Sequence, residues 1–165
     1  MAGVEFEMAE APYFHYLANY VLSVPAVFLD GRLVLLDPVE PEDVLALRDG
    51  KTEKELAVDE AVENFVNGVM ASQAILSAVV LHKSLKPILL PELVAVLSRA
   101  RYHGQEHKTP QIMEALRERE RGILEERWER LIKVLTFGMC NFLTTGVLPL
   151  APLAIYDFTT ANASL

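Results

Sequence analysis

The 165-residue chain contains a single cysteine, Cys140. That excludes an intramolecular disulfide, and it excludes a cysteine-built metal cage within one chain. Cys140 sits in an apolar stretch, where burial raises a thiol pKa and makes it inert. The first residues, Met1-Ala-Gly-Val-Glu-Phe-Glu-Met, lack a basic region followed by a long apolar one. The N-terminus therefore does not read as a signal peptide, and a cytoplasmic location is the expectation. No P-loop and no G-x-G-x-x-G occurs, which removes the commonest phosphate- and dinucleotide-binding signatures. Basic residues are too few for a nucleic-acid partner: the net charge is −8, and counterion release from a phosphate backbone needs a concentrated cationic surface. The one basic cluster, residues 117–130, is interleaved with glutamates that cancel it. Glutamine and asparagine are sparse while Glu and Arg are plentiful, a composition that leans towards a thermophilic source.

Apolar residues make up 52% of the chain, enough for a substantial core at this length. Their spacing changes character near Asp49-Gly50-Lys51-Thr52, which divides the chain into residues 1–50 and 51–165. In the first part, Val4–Met8 alternates as a half-buried strand does. Pro12 suits the first turn of a helix to about Tyr20. Residues 24–29 are apolar nearly throughout, as a central strand covered on both faces would be. Asp30-Gly31 is a two-residue hairpin turn, and Arg32–Leu36 the return strand. Pro41-Glu-Asp opens a short helix to Leu47, with Gly50 as its left-handed cap. The order is β-α-β-β-α.

After Gly50 the spacing is helical. One long helix is expected over residues 53–81, apolar almost all round in its second half. Pro91 opens another, residues 104–108 form a polar loop, and Thr109-Pro110 reads as an N-cap before a long charged helix. Gly138 and Gly146 weaken that helix, and Pro149 and Pro152 break the tail. The fold class expected is α+β, with the βαββα unit followed by a mainly helical region of three or four helices.

The run Ser23-Val24-Pro25-Ala26-Val27-Phe28-Leu29-Asp30-Gly31-Arg32 resembles the cis-proline region of thioredoxins and glutaredoxins, and the resemblance spans roughly residues 4–47. It implies the C-terminal half of that fold, a cis Val24–Pro25 bond, and backbone pairing of Ser23, Val24 and Pro25 with an extended substrate strand. The family's Cys-x-x-Cys would precede Val4, where the chain has only three residues. The resemblance without that motif implies a redox-inactive binding or assembly module that self-associates, as a homodimer. A thiol-disulfide oxidoreductase whose Cys-x-x-Cys segment lies upstream of this chain is the alternative, and a membrane-associated protein a further one. A peptide or protein partner fits the first reading, and no cofactor is implied.

His103-Gly-Gln-Glu-His107 matches H-x-x-E-H, an inverted zinc-protease pattern, and makes His103, Glu106 and His107 metal candidates. Gly104 inside the motif and the helix start just after it favour a solvated loop instead. His15, Trp128 and the carboxylates Asp30, Asp37, Glu40, Glu42 and Asp43 read as surface, packing or turn residues. Residues 65–81 and 136–156 are uncharged over lengths that approach or reach a membrane span. Asn67, Ser72 and Gln73 interrupt the first, and Asn141, two glycines and two prolines the second, so buried helices are favoured over insertion.

Overall fold

The computed structural model describes residues 25–145, with side chains to Phe137. The fold is α+β. Two strands, β1 (Ala26–Leu29) and β2 (Arg32–Leu36), form an antiparallel hairpin. Five helices follow: α1 (Pro41–Arg48), α2 (Val58–Ala71), α3 (Gln73–His82), α4 (Pro91–Leu97) and α5 (Thr109–Thr145). Short 3-10 turns at Lys86–Ile88 and Glu106–Lys108 lead into α4 and α5. The expected strand Val4–Met8, the helix from Pro12 and the tail beyond Thr145 lie outside the described residues.

The local chemistry read from the first part holds where it is described. Asp30 and Gly31 both take positive φ, 50° and 76°, as a two-residue hairpin turn requires. The register pairs Leu29 with Arg32 and Phe28 with Leu33, and slips by one residue between Phe28 and Val27, leaving a bulge. Helix α1 ends as expected: Gly50 has φ 64°, its N–H donates to Leu47 O, and the Lys51 N–H donates to Ala46 O. A cis peptide occurs at Asp37–Pro38; Val24, one half of the expected cis bond, lies outside the described residues.

The single helix expected over residues 53–81 is two helices bent by 100° at Ser72. Residues 51–57 before them are not helical. Ser72 has extended backbone, and its Oγ accepts the Ile75 N–H at 3.3 Å, which caps α3. The bend lets a segment that is apolar nearly all round bury both halves: Phe65, Val69, Ile75, Leu76 and Val79 are all at most 2% exposed. Among the described residues no single helix is long and apolar enough to cross a membrane.

One further expectation needs correcting. Thr109 is not an N-cap. It is already helical (φ −51°, ψ −44°), and its hydroxyl donates back to Glu106 O at 2.7 Å. Gly138, expected to weaken α5 at a cost of roughly 1 kcal/mol, lies within the helix, which runs on to Thr145.

Helices α2 to α5 enclose the main core, to which the hairpin contributes Leu36, with Ala26 and Leu33 packed against it. A second small cluster joins Val34 and Leu35 of β2 to Tyr102, flanked by Val27, Val39 and Leu47. Trp128 is half-buried against the main core, which is the packing role expected of it.

Candidate functional site: the hairpin and its two edges

The hairpin has two outer edges, and they differ. In a two-residue hairpin the residues flanking the turn exchange hydrogen bonds, and the next pair outward points its N–H and C=O groups away from each other. Leu29–Arg32 is the flanking pair, so Phe28 and Leu33 face outward on opposite edges. On the β2 side the outward carbonyl of Leu33 accepts from Arg101 Nη1 at 2.9 Å. On the β1 side no hydrogen bond from another described element reaches Phe28. Phe28 is 46% exposed and Leu29 40%. Among the described residues β1 pairs with β2 alone; Val4–Met8 and the helix from Pro12, the elements expected beside it, lie outside them.

Arg101 is the hub of the closed edge. Its side chain is 8% exposed, it contacts Glu92, and it bonds Glu106 Oε1 through Nη2 at 2.6 Å and Nε at 3.1 Å. Arg32 of β2 reaches the same Glu106 oxygen at 3.0 Å. The Arg101 bonds hold the Glu106 carboxyl below its ordinary value, against the opposing effect of burial. Burial alone would lower the Arg101 pKa, but the Glu106 and Glu92 bonds outweigh it and raise it.

A second clamp lies one turn away. Arg99 has left-handed backbone, φ 63°. Its guanidinium bonds both Asp43 oxygens at 2.8 Å and the Pro38 carbonyl at 2.9 Å. Asp43 Oδ2 also accepts the Glu40 N–H at 3.0 Å, which completes the start of α1. Tyr102 packs 5.6 Å from the Arg99 guanidinium. Burial would raise the Asp43 carboxyl; the bonds from Arg99 and the Glu40 amide exceed that and leave it below the ordinary carboxylate range. At Asp37, burial and then the nearby Glu40 charge push the carboxyl up.

The residues singled out in the sequence fall around these clamps without converging. Ser23 and Val24 are outside the described residues. Pro25 is exposed at the mouth of the hairpin, its carbonyl accepting the Asp37 N–H at 3.0 Å. His103 turns its Nδ1 to the Thr52 carbonyl at 2.8 Å. Glu106 is spent on Arg101 and Arg32, while His107 is exposed on the rim of an open cleft of about 540 Å³ between the starts of α4 and α5. No group of three His, Cys, Asp or Glu side chains that would hold a metal occurs among the described residues. Arg101, which bonds the β2 edge, and Arg99, which holds the start of α1, were missed in the sequence. Their only signal there is an Arg-Ala-Arg between two helices, with partners 56 and 68 residues away.

Such an arrangement has one evident chemistry, the offer of backbone groups at the rim of a sheet. No family model matches the chain, and no curated protein or solved structure matches it either.

Proposed function

We propose that this protein is a binding and assembly module without catalysis of its own: it self-associates, and it receives an extended segment of a partner protein along the outer edge of β1. The observation that carries the reading is the asymmetry of the hairpin. One edge is closed by a buried guanidinium; the other, which no described element pairs with, presents the Phe28 N–H and C=O beside two exposed apolar side chains. Native sheets usually blunt such an edge with charge, proline or a covering element. The bulge beside Phe28 and the shortness of β1 limit the edge to a segment of a few residues. The thioredoxin-type resemblance supports the same use, since strand pairing next to Pro25 is what it implies.

Phe28→Pro provides the test. The Phe28 N–H points outward, so proline there removes a donor from the edge and leaves the hairpin ladder intact. A fluorescent alternating peptide, Lys-Val-Thr-Val-Thr-Val-Lys, should bind the full chain and lose at least about tenfold in affinity to the variant, a difference of about 1.4 kcal/mol. Equal binding by both proteins, or by neither, would overturn the reading.

A further inference from the structure

We draw no further inference here: the strongest candidate, the open cleft of about 540 Å³ between the starts of α4 and α5, has Ala95 and Met113 on an apolar floor but sets charges of both signs, Glu92 and Glu106 with Arg117, around it, so nothing in the structure shows what covers it.

Discussion

At the scale of single residues, two arginines hold the hairpin and α1 to the helical body. The Arg99–Asp43 pair is the tighter of the two clamps, with side chains 23% and 12% exposed and every carboxylate oxygen bonded. Removing one member of such a pair leaves the other charge without compensation. Arg99→Ala should therefore destabilise the protein by about 3 kcal/mol near pH 7 in urea unfolding. The loss should depend on pH. Asp43 titrates below its ordinary value in the folded protein, so its contribution is full above the unfolded-state carboxyl pKa and disappears as pH falls through the folded one. Wild-type and Arg99→Ala unfolding curves should accordingly converge in acid. A difference that persists unchanged to about pH 2 would show that Arg99 acts through packing on Tyr102 rather than through charge.

At the scale of elements, the sequence was legible wherever the signal was local. Asp30-Gly31 needs positive φ at two successive residues, and few turns other than a hairpin supply that. Gly50 and Pro41 mark the ends of α1 by equally short-range chemistry. The break at Ser72 was not legible, because no glycine or proline marks it and a serine is tolerated within a helix. Tertiary packing decides it: a straight helix over residues 58–82 would leave part of an apolar surface uncovered, and the bend does not. Ser72 then stabilises a geometry it does not originate. Ser72→Ala should cost about 1 kcal/mol with unchanged helical ellipticity. A gain in ellipticity would mean that the serine alone keeps α2 and α3 apart.

At the scale of the whole molecule, the candidate site was the least legible part. The H-x-x-E-H spacing drew attention to Glu106, and Glu106 does matter, but as a carboxylate shared by two arginines from distant segments. Nothing in the order of residues 99–106 announces that they will meet residues 32–43. That β1 pairs with β2 alone among the described residues was hidden for the same reason: a run of apolar residues reads alike in a central strand and at a rim.

The distance along the chain between the members of each clamp also bears on how quickly the protein comes apart. The contacts that dock the hairpin and α1 join residues 56 to 74 apart in sequence, as far as those between α2 and α5, which join residues 60 and 64 apart; but α2 and α5 bury the main core between them, whereas the clamps are polar. Closing such loops costs entropy that apolar burial repays first, so the helices should pack first and the hairpin dock late, after the rate-limiting barrier. Substitutions at Arg99 or Arg101 should then act almost wholly on the unfolding limb of a chevron plot, raising the unfolding rate and leaving refolding within about twofold of wild type. A slowed refolding limb would place the hairpin in the nucleus instead.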